Sequence, residues 1–499
     1  MAGAFPRPIS AREALATELN AVALGVSLDA LMENAGRAVA ELATRHLPPP
    51  PARVAIVASV GNNGGDGTCA AHYLLQWGYA PEVWLLRPPL EIRSRAARRC
   101  FDRIAHRVPV HIGVPTADEL RAVPLVVDAM LGMGQSGTLR SPIREAVTAV
   151  RGSGVPVLAI DLPTGTRSPD GLRARWTLTF TAPKEEMDPA NAGELVVREI
   201  GIPPDAWRRT GPGEFVYFPV PTGTGDRGRS CRLVIIGGGP YAGAPALAAL
   251  AALRAGAERA TVFAPRGAAE IVQGFSPNLV VRPFGREHFA PGDVDGLLAA
   301  VRAAPPAAVA LGMGAGADPE TLAALGRVER ELAGTVPLVV DADALAALPG
   351  PAERLGRGTA PIAATPNAGE YSRLFAAAGG AEGTDRAASV AEVARARHLL
   401  LVAKGQPDII ADGRSVAENH HHHPAMTVGG TGDVLAGVLA TVLGMGVEPY
   451  AAARLATYWV GEAGILAASR RSFGLLATDV IDDLPAALAA GLARVAVAR

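Results

Sequence analysis

Apolar residues recur along this chain in two alternating rhythms. Short aliphatic runs, at 54–60, 125–127 and 155–160, suit strands buried on both faces, and longer stretches between them return an apolar position every three to four residues. The first two helical stretches, 11–24 and 27–46, end at the prolines of 48–51, where a missing N–H and a fixed φ stop a helix ahead of the next strand. The alternation restarts at 233–236 and continues at 260–263, 308–311, 338–340, 362–364 and 399–402. Between the two series, residues 211–229 are rich in Gly, Pro and Thr and carry no apolar periodicity. The pattern predicts an α/β protein of two domains, 1–218 and 228–499, the first a parallel sheet covered by helices and the second a further α/β domain, with no obvious repeat between the halves.

Composition narrows the class without changing the fold. A chain of 499 residues exceeds one ordinary core, and 49% hydrophobic with 19% charged residues is globular rather than disordered. Lys and Arg number 47 against 48 Asp and Glu, with no long single-sign block, so no nucleic-acid partner is expected. The three cysteines, Cys69, Cys100 and Cys231, form neither a CxxC pair nor a disulfide framework, which fits a reducing cytoplasm. The N-terminus lacks a basic stretch followed by an apolar core, and the longest apolar stretch, 434–447, is broken by glycines and shorter than the ~20 residues that span a bilayer. A cytoplasmic protein with no membrane partner is expected, as a homo-oligomer.

Three strand ends in the first domain carry chemistry. The run GNNGGDG, residues 61–67, follows the strand ending at Val60 and reads as a loop whose N–H groups face a phosphate, with Asn62, Asn63 and Asp66 adding side-chain donors and acceptors to Gly64 and Gly65. One such loop alone equally fits a tight turn. Two further strands end at Asp128, followed by AMLGMGQSGT, and at Asp161, followed by LPTG. In a parallel sheet these ends share one edge, where ligands of open α/β sheets bind, and that convergence outweighs a helix-cap role for any one aspartate.

LMENAG at 31–36, GNNGGDG, DAMLGMG at 128–134, DLPTG at 161–165 and TFTAPK at 179–184 together resemble the YjeF N-terminal family, whose enzymes epimerise hydrated NADH and NADPH at C6 of the nicotinamide ring. The resemblance implies a Rossmann-like sheet in which Asn62, Asn63, Gly64, Gly65 and Asp66, with Gly132, Met133, Gly134, Gln135, Ser136, Gly137 and Thr138, hold the hydrated dinucleotide. It implies Asp161 as acid/base beside the damaged ring, and Asn63, Asp128 and Thr164 as ligands of potassium. The sequence departs from the family at Thr164, usually Ser, and at Glu185 and Glu186, where Pro-Gly usually follows Lys184. Some relatives of this domain are non-catalytic binding modules, which is one alternative.

The second domain contains an internal control, because GTGD occurs at 223–226 and again at 430–433. The first copy sits in the linker ahead of RGRSCR. The second precedes Val434, Leu435, Val438 and Leu439 at helical spacing, so its N–H groups lie at a helix N-terminus, where backbone donors and the macrodipole stabilise a transferring phosphoryl group. Other strand ends add GGGPYAGAP at 237–245, GMGAG at 312–316, DAD at 341–343, TPNAGE at 365–370 and AKG at 403–405. So many glycines and carboxylates on one rim imply a phosphate-bearing ligand.

These motifs, MTVGGTGDVLAG at 426–437 above all, resemble the ribokinase-like dehydratase family that repairs hydrated NADH and NADPH (NADHX and NADPHX), over about residues 228–499. The resemblance implies Asp433 as the catalytic base toward ADP, and Gly430, Thr431 and Gly432 as the phosphoryl cradle. It implies Lys404, Gly405, Gln406, Pro407 and Asp408 along the nucleotide, and Ala244, Gly314 and Asn367 against the hydrate. Asn367 stands where the family commonly has histidine, so a titrating role there is excluded. Asp341 and Asp343, two apart, are expected on one strand face where they steer magnesium. ADP against ATP stays open from the residues, and a small-molecule kinase of the ribokinase superfamily is the other alternative. The run His420–His423 reads as a loop bordering the nucleotide rather than a functional metal site, since four consecutive imidazoles do not face one ion.

Overall fold

The structure, a computed structural model, describes residues 7–133, 137–221, 231–348, 350, 358–375 and 385–498. Gly134, Gln135, Ser136 and the linker copy of GTGD lie outside the described residues. The chain divides into two compact units, Met1–Ala206 and Trp207–Val497.

The first unit is a seven-stranded parallel sheet: β1 (Arg53–Ala58), β2 (Ala80–Leu85), β3 (Val110–Ile112), β4 (Val126–Ala129), β5 (Val157–Ile160), β6 (Trp176–Phe180) and β7 (Glu194–Arg198), in the order β3-β2-β1-β4-β5-β6-β7. The apolar pattern locates β1, β4 and β5, which are buried almost throughout. It passes over β3 and β7, edge strands with exposed residues, and β6, whose buried sequence WTLTF hides threonines in the sheet. The strand order reverses between β1 and β4, and the crevice at that switch is where an open α/β sheet takes its ligand.

The second unit carries nine strands: β8 (Arg232–Ile236), β9 (Arg259–Ala264), β10 (Val280–Pro283), β11 (Ala308–Leu311), β12 (Leu338–Val340), β13 (Ile362–Ala364), β14 (Leu400–Ala403), β15 (Asp408–Ala411) and β16 (Val416–Asn419). Their order is β10-β9-β8-β11-β12-β13-β14-β15-β16, with the switch between β8 and β11. The sheet is parallel as far as β14; β15 and β16 add antiparallel edges, so it is mixed. Short turns suffice there because antiparallel neighbours need no crossover helix; between β15 and β16 the Asp412 carboxylate accepts from the N–H groups of Arg414 and Ser415. The helix Thr431–Gly444 is buried from Val434 to Leu443, which accounts for the apolar stretch, and among the described residues no helix is long and apolar enough to cross a membrane.

Residues 207–218, placed with the first domain by the apolar pattern, pack in the second unit. The reason is a buried ion pair. Arg454, on helix Pro449–Arg471, donates to Glu214 at 2.5 and 3.1 Å and to the carbonyls of Trp207 and Arg209 at 2.8 and 3.1 Å. Phe215 meets the rings of Tyr458 and Trp459 edge-on beside it. Arg454→Ala leaves the fully buried Glu214 carboxylate without that partner, so it is expected to cost the second unit about 3–5 kcal/mol in denaturant unfolding. Arg454→Met combined with Glu214→Gln is expected to recover part of the loss.

Candidate functional sites

In the first unit the run GNNGGDG is the start of a helix rather than a loop. Gly61 caps helix Asn62–Gln76 directly at the end of β1. None of its four glycines has a positive φ; they are required for close approach. A Cβ on Gly64 would lie 1.8 Å from the Ser59 carbonyl oxygen, and one on Gly67 would lie 2.5 Å from the Ala129 Cβ. Gly64 and Gly65 are buried in this packing, so they offer a ligand backbone only. The first-turn N–H groups of such a helix have no partner inside it.

Asp128, fully buried at the end of β4, accepts from the Thr164 N–H and hydroxyl, both at 2.8 Å, and from the Met130 N–H at 3.2 Å. The Thr164 hydroxyl in turn accepts from the Leu131 N–H at 3.0 Å. Burial pushes the Asp128 carboxyl up to about 6, against the opposing pull of the Thr164 hydrogen bonds. Asn63 and Asp161 meet at Gly132, where a Cβ would stand 3.2 Å from Asn63 Oδ1 and 3.4 Å from Asp161 Oδ2. The Asn63 Nδ2 is buried there with no hydrogen-bond partner among the described residues.

Asp161 has a left-handed backbone, φ 65°, and is almost wholly buried. It accepts from the Thr179 hydroxyl and pairs with Lys184 Nζ, both at 3.1 Å. Lys184 also donates to the carbonyls of Phe180 and Ala182, each at 2.9 Å, so this lysine, quoted in a motif but given no role, anchors the loop after β6. The departure at Glu186 has a local explanation: its carboxylate accepts from the Ala11 N–H at 3.0 and 3.1 Å, at the start of helix Ala11–Ala23. That helix brings in Glu18, which sequence reasoning missed because nothing distinguishes it from any other helical glutamate. Burial and then the Asp161 charge raise Glu18 to about 7, with Lys184 opposing. Asp66 is raised by burial, Glu18 and Asp161.

Beside this cluster lies a cavity of about 440 Å³. Met133, Gly137 and Thr138 line it, together with Leu131, Leu162 and three arginines, Arg87, Arg140 and Arg167; Asn62, Asn63, Gly64, Gly65, Asp66, Gly132 and Asp161 are not among its lining residues. Positive side chains at that density suit the phosphates of a dinucleotide.

In the second unit Gly430, with φ 96°, caps the helix that opens with Thr431, Gly432 and Asp433, as the spacing predicts. The Thr431 hydroxyl donates to the carbonyls of Met426 and Val428 at 3.1 Å, tying the preceding loop down. Lys404 Nζ donates to Asp341 Oδ1 at 2.9 Å, and a Cβ on Gly432 would lie 3.0 Å from that nitrogen. Burial and then Asp341 raise the Asp433 carboxyl to about 7; Lys404 opposes them, and Asp343 and Glu370 add to the rise.

Asp341 and Asp343 do not share a strand face. β12 stops at Val340, a 3-10 turn Ala342–Ala347 follows, and Asp343 instead accepts from the Gly316 N–H at 2.7 Å. Gly314, with φ 68°, lies against Ala244 and the Tyr241 carbonyl, which a Cβ would meet at 3.1 and 2.2 Å. Asn367 begins helix Ala368–Phe375: its Oδ1 accepts from the Glu370 N–H at 2.9 Å and its own N–H reaches the Glu370 carboxylate at 2.8 Å. That structural use was not foreseen. Asp408 holds its loop by accepting from Gly405 N–H at 2.8 Å and Asn419 Nδ2 at 2.9 Å.

A pocket of about 730 Å³ joins these groups. It is lined by Lys404, Gly405, Gln406 and Asp408, by Gly430 through Asp433, and by Asn367 and Asp341. Pro407, Ala244 and Gly314 are not among its lining residues. The histidine run splits up: His420 meets Glu418 at 2.6 Å, His421 meets Glu462 at 2.5 Å and stacks on Tyr458, and His422 and His423 border the pocket.

The family described as YjeF-related protein N-terminus matches residues 28–186, and the family described as NAD(P)H-hydrate dehydratase matches 233–486. The chain is 37% identical to the bifunctional NAD(P)H-hydrate repair enzyme Nnr of Pyrobaculum aerophilum, over 96% of this chain and 97% of that one. It is 36% identical to the enzyme of the same name from Hyperthermus butylicus, over 97% and 92%. A crystal structure of the ADP/ATP-dependent NAD(P)H-hydrate dehydratase of Bacillus subtilis, co-crystallised with ATP/Mg2+, aligns at 23% identity and TM-score 0.48, covering 56% of this chain and 96% of that one. With both family domains in one chain and full-length relatives above 30% identity, the chain belongs to the family of bifunctional NAD(P)H-hydrate repair enzymes.

Proposed function

We propose that the first unit interconverts the R and S epimers of hydrated NADH and NADPH, and that the second uses ADP to dehydrate the S form, releasing AMP and phosphate. The observation that carries the second step is Asp433, raised to about 7 at a helix N-terminus, on a pocket of about 730 Å³ that also holds Lys404. An ionised Asp433 takes the proton of the C6 hydroxyl as that oxygen attacks the terminal phosphorus and AMP departs. The ring nitrogen then expels phosphate from C6, and loss of a proton from C5 restores the dihydronicotinamide. Hydroxide is a poor leaving group at neutral pH and phosphate a good one. The N–H groups of 431–433 and the Lys404 ammonium offset the charge of the transferring group. Asp341 and Asp343 offer hard carboxylate oxygens beside Asp433, a donor set that fits magnesium, which when bound would neutralise nucleotide phosphates.

In the first unit the ring lies beside Asp161, with Glu18 and Asp66 as further proton carriers and the arginine-lined cavity taking the phosphates. Fusion of the two activities has a physical reason: spontaneous hydration yields both epimers, and a stereospecific dehydratase strands one of them. Asn63, Asp128 and Thr164 supply hard oxygens that fit potassium, and among the described residues the buried Asp128 carboxylate has hydrogen bonds and no cationic side chain to offset its charge.

Hydrated NADH incubated with the chain and either nucleotide is expected to regain dihydronicotinamide absorbance. Accumulation of a stable phosphorylated hydrate would instead mark a kinase, and no reaction with either nucleotide would sink the dehydratase. Because the base must be ionised, kcat/KM of dehydration is expected to fall about tenfold per pH unit below about 7 and to level off above it. Lys404→Met removes the charge that lowers Asp433 and is expected to move that limb to higher pH.

Asp161→Asn is expected to slow epimerisation by roughly 10²–10⁴, read by conversion of the R form, while dehydration of supplied S epimer stays unchanged. Unchanged epimerisation would make the first unit a binding module. Asp128 titrates near 6 rather than 3.8, so its contribution favours the fold below 3.8 and is lost as pH rises through 6, by about 3 kcal/mol. Potassium is therefore expected to raise the melting temperature more at pH 8 than at pH 5, with sodium less effective at both.

A further inference from the structure

Three helices of the first unit, Leu28–Thr44, Asn62–Gln76 and Arg95–Ile104, bring together Glu33, Cys69 and Cys100. One carboxylate oxygen and the two sulfurs all lie within 4.8 Å of one another. Arg103 Nη2 donates to all three: to Glu33 Oε2 at 2.7 Å, to Cys69 Sγ at 3.2 Å and to Cys100 Sγ at 3.5 Å. The Cys69 thiol faces the same Glu33 oxygen at 3.5 Å, and the Tyr73 hydroxyl donates to the other carboxylate oxygen. Gly36 makes this packing possible, since a Cβ there would lie 2.4 Å from the Cys69 Cβ.

The sulfurs are inequivalent. A hydrogen bond from Cys69, followed by the Arg103 charge, holds the Cys100 thiol below its ordinary range, and the same hydrogen bond with burial pushes Cys69 well above it. Of the two thiols, Cys100 is the one whose ionisation these contacts favour. The guanidinium, within reach of both sulfurs and the carboxylate, already supplies the positive charge that a metal cation would bring. Both cysteines are buried, and the Glu33–Arg103 pair that contacts them has side chains each 35% exposed, so a small neutral oxidant reaches the sulfurs through local opening of this packing.

We propose that Cys69 and Cys100 form an oxidisable dithiol, a modification site for hydroperoxides that closes to an intrachain disulfide. The Cys100 thiolate attacks a peroxide oxygen and the O–O bond breaks, leaving a sulfenic acid and hydroxide, which is protonated to water. The Cys69 sulfur then attacks the Cys100 sulfur; the S–S bond forms, the S–O bond breaks, and the departing hydroxide takes the Cys69 proton and leaves as water. Two thiols and one hydrogen peroxide become one disulfide and two waters. The link joins the helix that carries residues 61–67 to Arg95–Ile104, its neighbour at Gly65, where a Cβ would lie 2.8 Å from the Ala97 Cβ.

The test treats the reduced full-length chain with hydrogen peroxide, alkylates it and maps the cysteines by mass spectrometry. A Cys69–Cys100 linked peptide, a loss of two hydrogens in intact mass, an unmodified Cys231 and recovery of all three thiols with dithiothreitol are expected. Cys69→Ser is expected to stop at a sulfenic acid on Cys100 that dimedone traps, and Cys100→Ser to leave Cys69 a thiol. Arg103→Gln is expected to slow the reaction about tenfold and Arg103→Lys to restore most of the rate. Over-oxidised, unlinked cysteines, an Arg103→Gln rate equal to that of the unaltered chain, or stoichiometric zinc in the purified chain would each overturn the proposal.

Discussion

In each unit one ammonium holds a rim of carboxylates together. Lys184 pairs with Asp161 at 3.1 Å in the first unit, and Lys404 with Asp341 at 2.9 Å in the second. Around each pair stand more acids than one cation offsets: Glu18 and Asp66 beside Asp161, and Asp343, Glu370 and Asp433 beside Asp341. The excess negative charge, added to burial, moves Glu18 and Asp433 toward neutral pH, where a carboxyl group gives or takes a proton with little bias. Reactivity and cohesion therefore come from the same imbalance. Removing either lysine would leave its aspartate as an uncompensated buried charge.

Those acids meet because backbone approaches backbone at the switch of each sheet. In the first unit the turn after β1 lies so close to the next helix that a Cβ on Gly64 would stand 1.8 Å from the Ser59 oxygen. In the second, the turns after β8 and β11 interlock: Gly238 N–H donates to the Met313 carbonyl at 2.8 Å, and a Cβ on Gly237 would come within 2.4 Å of that same oxygen. Such contact aims peptide N–H groups at the crevice outside the strand ends and leaves room there for a phosphate-bearing ligand. The glycines of 61–67, which read in the sequence as a phosphate-facing loop, are close-packed positions at a helix start in the fold.

Much of the architecture was legible in the chain alone. Buried strands such as β1, β8 and β11 are continuous aliphatic runs, and the helix behind Gly430 announces itself by the spacing of Val434, Leu435, Val438 and Leu439. What escaped was of two kinds. Edge strands β3, β7 and β16 are partly exposed and short, so no strong period marks them. Segment 207–218 reads as the end of the first domain because its anchor, Arg454, lies more than two hundred residues away.

The sequence by itself determined two α/β units, the rim motifs at their strand ends and Asp433 at a helix N-terminus, since periodicity, glycine runs and helix starts are local properties. Tertiary structure alone decided which charges face one another. Glu18 reaches Asp161, Lys404 reaches Asp341, Asp343 turns to Gly316, and Arg103 gathers two cysteines that are 31 residues apart in the chain. Electrostatic energy depends on distance and burial in space, and neither is written in the order of the residues.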